Sequence, residues 1–219
     1  MKLAELALKK GERAAVGVTF GALYSNFGFF GMLGVLWRVA IAKMRGEPFA
    51  ALGPAVDERD RLSRRQVGDL VLLDRAIRSK HSDEKALAVC RSLTLAGGVI
   101  FLDAIVPHVA PDKLGEMAGK LIDEFFNAEG RATMVDAETL RFDVTRCRFV
   151  DLLSQVDALH LVKLFCEVDS GFFDGKRRPV LLHRTQTLAT GGTHCNFTFT
   201  ATKPKEAARS PLLSASRSK

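Results

Sequence analysis

TLRFDVTR, the run from Thr139 to Arg146, decides the fold class. Leu140, Phe142 and Val144 alternate with Arg141, Asp143 and Thr145, the period of two that marks a strand with one buried face. Before Gly130 the apolar spacing is helical; after it the two periods mix. The chain is therefore expected to be α+β, a helical N-terminal half with a small antiparallel sheet formed mainly by the C-terminal third.

Downstream, a helix is expected from Phe149 to about Glu167, a second strand over Val180–Ala189 and a third over His194–Thr200. The turn Thr190-Gly-Gly-Thr193 would join those two strands as a hairpin. In the third strand Cys195, Phe197 and Phe199 share one face, while Asn196, Thr198 and Thr200 share the other. Upstream, Leu114, Met117, Leu121, Ile122, Phe125 and Phe126 form one helical face opened by Pro111–Asp112. Another helix should cover Asp83 to about Val106, with Pro107 near its end. A third carries the stripe Val67, Leu70, Val71, Leu73 and Ile77.

The chain has 219 residues, enough to bury a core without disulfides or metal. Fifteen Phe against one Tyr and one Trp favour apolar packing over polar recognition. The net charge is +7, concentrated at the two ends. A nucleic-acid-binding face clusters its cations on a folded surface, so nucleic acid is not an expected partner. Basic ends beside an apolar segment suit an anionic membrane surface. The Ser-, Pro- and Lys-rich end, residues 203–219, is expected to be a disordered basic tail.

Ala14 to Trp37 carries no charge and is flanked by Arg13 and Arg38. As one helix it would reach about 36 Å, enough to cross the roughly 30 Å hydrocarbon layer. Thr19, Tyr24, Ser25 and Asn26 oppose a span, and the competing expectation is a buried helical hairpin broken near Asn26–Gly28. Residues 1–46 are accordingly set apart as an apolar N-terminal segment and candidate membrane anchor, with residues 14–37 as its membrane-facing part.

Reactive side chains concentrate between Cys147 and Asn196. The cysteines, Cys90, Cys147, Cys166 and Cys195, form no CxxC and fit no common zinc or haem spacing. They are expected to be reduced thiols in a cytoplasmic protein. Cys147, Cys166, Cys195 and Asp169 have donor chemistry that suits zinc, yet nothing in their spacing demands a metal, and no cofactor is implied.

Cys166-Glu-Val-Asp169, Arg184-Thr-Gln-Thr187 and Gly191-Gly-Thr-His-Cys195-Asn-Phe197 resemble the C-terminal half of the L-2-amino-thiazoline-4-carboxylic acid hydrolase family. In that family a cysteine closes a strand, a position that resembles Cys147 here, then come a helix, Cys-x-x-Asp, an Arg-Thr strand, a glycine turn and Cys-Asp-Phe. The resemblance covers about residues 110 to 200 and sets the hydrolase-like α+β domain at 47–202. The chain departs from the pattern at Asn196, where Asp is common, and at Thr198, where Arg is frequent. The glycine turn and Cys-x-Phe also look like the small-molecule-binding domains of the vinyl-reductase type, a non-catalytic alternative.

The resemblance implies hydrolysis of a C–N or C–S bond in a cyclic isothiourea bearing a carboxylate, with that small molecule as the partner. Either a thiolate attacks the amidine carbon, or a carboxylate or imidazole activates water. Cys195 or Cys166 is the expected nucleophile, and Asp169 or His194 the expected base. Arg184 would anchor the carboxylate, with Thr185, Thr187 and Asn196 as further binding groups. Neighbours on a strand point to opposite faces, so the partner of Cys195 should be His183 or Asp169 rather than His194.

Overall fold

A computed structural model describes residues 2–106, 113–176 and 179–202. Six helices and four strands follow in the order α1 (Lys2–Met44), α2 (Glu58–Arg78), α3 (Asp83–Ile105), α4 (Leu114–Glu124), β1 (Ala128–Met134), β2 (Thr139–Cys147), α5 (Arg148–Ser154), α6 (Val162–Phe172), β3 (Val180–His183) and β4 (Cys195–Ala201). The architecture is α+β, as the sequence indicates. The strands form one antiparallel sheet in the order β1-β2-β4-β3.

The inner face of the sheet packs against α4 and α6. Leu140, Phe142 and Val144 of β2 are buried there with Cys195 and Phe199 of β4. Phenylalanine fills this layer: Phe173 meets Phe199 edge-on at 4.9 Å between ring centres, and Phe197 lies 6.2 Å from Phe142. Edge-on pairs set the positive ring edge against the negative face. The outer face is polar, with Arg141 paired to Asp143 at 2.8 Å.

Four local outcomes differ from the sequence reading. Helix α4 stops at Glu124, so Phe125 and Phe126 lie beyond it, and Ile122 is exposed rather than on the buried face. β1 is an additional strand, hidden in the sequence because Ala-Glu-Gly-Arg-Ala-Thr-Met does not alternate. A register shift between Glu129 and Gly130 breaks its period. The helix expected over Phe149–Glu167 is two helices, α5 and α6. Asp157 between them adopts φ 53°, which ends a right-handed helix. The strand expected over Val180–Ala189 stops at His183, and Leu188–Thr190 is a short 3-10 turn. β3 and β4 pair as antiparallel neighbours, but a long loop of residues 184–194 joins them instead of a tight turn. Pro107, Pro111–Asp112 and the tail of residues 203–219 lie outside the described residues.

Helix α1 is broken at Gly28, which takes φ 66° and ψ −178°. Arg65 on α2 bonds Glu12 at 2.7 Å, and Asp69, one turn further along α2, bonds Lys43 at 2.7 Å. A straight helix would hold Glu12 and Lys43 about 46 Å apart. The chain therefore folds back at Gly28 as a helical hairpin whose two arms lie along α2 and α3. At its tip Phe27 stacks on His81, 4.2 Å between ring centres.

The first arm crosses α3 where both helices carry glycine: a Cβ on Gly11 would lie 2.7 Å from the Gly97 carbonyl oxygen. Ala4, Ala7, Leu8, Leu23 and Val35 of α1 are buried in the same core as α2 and α3. Arg148, buried at the start of α5, bonds Asp57 at 2.9 Å and Glu129 at 2.8 Å. It thereby ties the N-cap of α2 to the sheet, and Asp57, held low by the Asp60 N–H and then by Arg148, stays ionised to do so.

Candidate active site

Strand alternation divides the expected site residues between the two faces of the sheet. Cys195 on β4 points inward, toward Asp169 and Cys166 on α6. Arg184, the first residue after β3, reaches under the sheet to the same place. Its Nη2 donates to the Cys166 carbonyl at 2.5 Å and to Ser170 Oγ at 2.9 Å. Its guanidinium also lies over the Phe197 ring at 5.4 Å. Arg184 Nη1 stands 3.6 Å from Asp169 Oδ2, an ion-pair distance too long for a hydrogen bond, and is buried without a hydrogen-bond partner.

Burial sets the electrostatics of this cluster. The Asp169 side chain is 22% exposed; desolvation raises its carboxyl to about 7, and Arg184 pulls it back down. The Cys166 thiol is pushed up to about 12 by burial and by Asp169, against the pull of Arg184. Cys147, at the junction of β2 and α5, is raised to about 11 by burial, opposed by the N–H groups of Val150 and Phe149. Burial also raises Cys195, while the Leu188 N–H, 3.2 Å from Sγ, and Arg184 lower it. All three thiols are thus neutral near pH 7, and the carboxylate is poised to exchange a proton there.

The other expected residues hold the loop together or face outward. Asn196 Oδ1 accepts from the Thr185 and Gln186 N–H groups at 3.1 and 3.0 Å, and its Nδ2 donates to Thr185 Oγ1 at 2.7 Å. Asn196 and Thr185 therefore pin the start of the 184–194 loop. Thr187 is buried, with Oγ1 3.1 Å from Thr190 Oγ1. His194 contacts Gln186 and Thr193 and stands 3.9 Å from Asp143 on the outer face. His183 is exposed, opposite Thr198 in the register. Of the expected bases, Asp169 is the one brought to the inner cluster. Among the described residues no group of three His, Cys, Asp or Glu side chains is arranged to hold a metal ion.

Beside Asp169 a crevice is walled by Leu121, Phe125, Phe142, Phe173, Phe197 and Phe199. Its free volume is about 10 Å³, room for about one water. The sequence profile of the L-2-amino-thiazoline-4-carboxylic acid hydrolase family matches residues 71–199, well over half of the chain. The chain belongs to that family. No curated protein and no solved structure matches it significantly.

The matched region of this hydrolase-family chain starts well upstream of the C-terminal motifs, taking in the end of α2 and all of α3. Helix α1 lies outside it. Cys147, which matches the strand-closing cysteine of the family pattern, shares the electrostatic environment of Cys195 and Asp169. It is the last residue of β2, directly before a helix, as in that pattern. What the sequence could not supply was the packing that buries it against α6.

Proposed function

We propose that this chain hydrolyses a small cyclic amidine or isothiourea carrying a carboxylate, at the crevice where Asp169 meets Arg184. The observation that carries this reading is a buried Arg184 Nη1 without a hydrogen-bond partner, 3.6 Å from Asp169, and burial that raises that carboxyl supports it. Ionised Asp169 accepts the proton of the nucleophile, either the Cys195 or Cys166 thiol or a water. The nucleophile adds to the amidine carbon, and the C=N electron pair moves to nitrogen. Collapse of the tetrahedral species breaks the ring C–N or C–S bond, and Asp169 returns the proton to the leaving atom. In the thiol route a water then adds to the amidine carbon bound to the cysteine sulfur and the thiol leaves, so either route adds one water overall.

Arg184 Nη1 is suited to the substrate carboxylate, because a charge-assisted bond to it is stronger than a neutral one. Entry requires Leu121 and Phe125 of the α4 side to move away from the sheet. Asn196 supports activity rather than opposing it, since its Oδ1 makes the two loop-holding bonds that an aspartate oxygen would make.

The test is mass spectrometry of the purified chain incubated with 2-amino-thiazoline-4-carboxylate. The expected result is a product heavier by one water. Asp169→Asn should abolish it, while Asn196→Asp should retain turnover within a few-fold. A second reading, a non-catalytic binding module at the same crevice, is favoured by its apolar walls. It requires a wild-type chain that turns nothing over yet melts at a higher temperature with the compound present.

A further inference from the structure

The two arms of the N-terminal hairpin bury one side against α2 and α3 and turn the other outward, and that outer side is apolar. Val16, Phe20 and Tyr24 follow one another at helical spacing on the first arm; Phe30, Leu33 and Trp37 do so on the second, with Phe30 85% and Trp37 67% exposed. No charged residue interrupts the chain from Ala14 to Trp37. Toward the end of the hairpin opposite the Gly28 tip, Lys9, Lys10 and Arg13 on the first arm and Arg45 just past the second are exposed, with Lys9 paired to Glu5 at 3.4 Å.

We propose that this face is a membrane-docking surface, lying in the plane of a bilayer that contains anionic lipids. Two observations choose that occupant. The basic end complements anionic headgroups beside an apolar face of interfacial type. The fold-back excludes a simple span: the arms are tied to α2 through Glu12–Arg65 and Lys43–Asp69, and α2 carries Asp60, Arg61 and Arg64 as well. Crossing the hydrocarbon would carry those charges with it. The cavity of about 830 Å³ between the arms, α2 and α3 is lined by Glu12, Lys43, Arg64, Arg65 and Asp69 as well as by apolar side chains, so it is not part of the lipid-facing surface. This inference concerns the helical layer and does not rest on the hydrolase reading.

Trp37 is the chain's one tryptophan and sits on the proposed surface, so it reports directly. The full chain is titrated with vesicles of phosphatidylcholine, with or without phosphatidylglycerol, following Trp37 emission and cosedimentation. Binding with a blue shift is expected for the anionic vesicles, weakening at about 1 M salt, where the Debye length falls to about 3 Å. Lys10→Gln and Arg13→Gln should each weaken binding about fivefold, the equivalent of about 1 kcal/mol per cation at the surface. Phe20→Glu with Phe30→Glu, both exposed, should abolish it while leaving the melting temperature unchanged.

Lipids brominated near the headgroup should quench Trp37 more than lipids brominated at the chain terminus. Equal or deeper quenching would show a spanning arrangement and overturn the proposal. Failure of the folded chain to sediment with anionic vesicles would overturn it too. So would concentration-dependent dimerisation that buries Trp37 without lipid, which would identify a second copy as the occupant.

Discussion

On the proposed mechanism Asp169 would give the site its pH dependence. Its ordinary pKa is 3.8, and burial raises it to about 7 in the folded chain. Between those values the folded state keeps a proton that the unfolded state releases. The stability Asp169 contributes is therefore complete below 3.8 and is lost as pH rises through 7. The proposed hydrolysis would run the other way, because its base must be ionised: kcat/KM should rise with pH around a midpoint near 7. Asp169→Asn should lose that rise and at least about 100-fold in rate. Its melting temperature relative to wild type should move in the variant's favour between about pH 4 and about pH 8. A wild-type rate profile that is flat across neutrality would remove Asp169 from the role of base. The sequence singled out Asp169, Arg184 and Cys195 through their motifs. It also advanced His183 and His194, which strand alternation and the 184–194 loop place away from the inner cluster.

At the scale of elements, Gly28 controls the hairpin. Its φ of 66° with ψ of −178° belongs to a region that residues with a side chain enter at a cost of about 1–3 kcal/mol. Gly28→Ala should lower the unfolding free energy by about that amount. Gly17→Ala, where nothing lies within 4 Å of an added Cβ, should gain about 0.5–1 kcal/mol from helix preference. Urea titration of the two variants separates a conformational role for Gly28 from a general intolerance of bulk in this helix. The break near Asn26–Gly28 was legible in the sequence because a glycine follows an uncharged helical run at a polar pair. The length of β3 was not, since Val180–Ala189 has strand-like composition, and only the fit of the loop around Asn196 and Cys195 stops it at His183.

For the whole molecule the issue is how far the helical layer supports the rest. Removing residues 1–46 takes Ala4, Ala7, Leu8, Leu23 and Val35 out of the core and uncovers Gly97 and Phe101 on α3. That truncation should aggregate or melt well below the full chain, measured by thermal unfolding and size-exclusion chromatography. A soluble, cooperatively folding product with an unchanged midpoint would make the hairpin a mere appendage. The family profile covers residues 71–199, so the matched region shares its core with an element that the profile does not include.

The sequence by itself determined the α+β class, the extent of α3, most of β2 and β4, the uncharged run of α1 and the motifs that carry the family. All of these are local, written in the period of apolar residues or in a few neighbouring side chains. Only the tertiary structure decided that α1 folds back, that β1 joins the sheet edge, and which expected site residues share the inner face. It also decided that Asp169 titrates near neutrality. Burial and desolvation are summed over segments far apart in the chain, and no stretch read alone contains that sum.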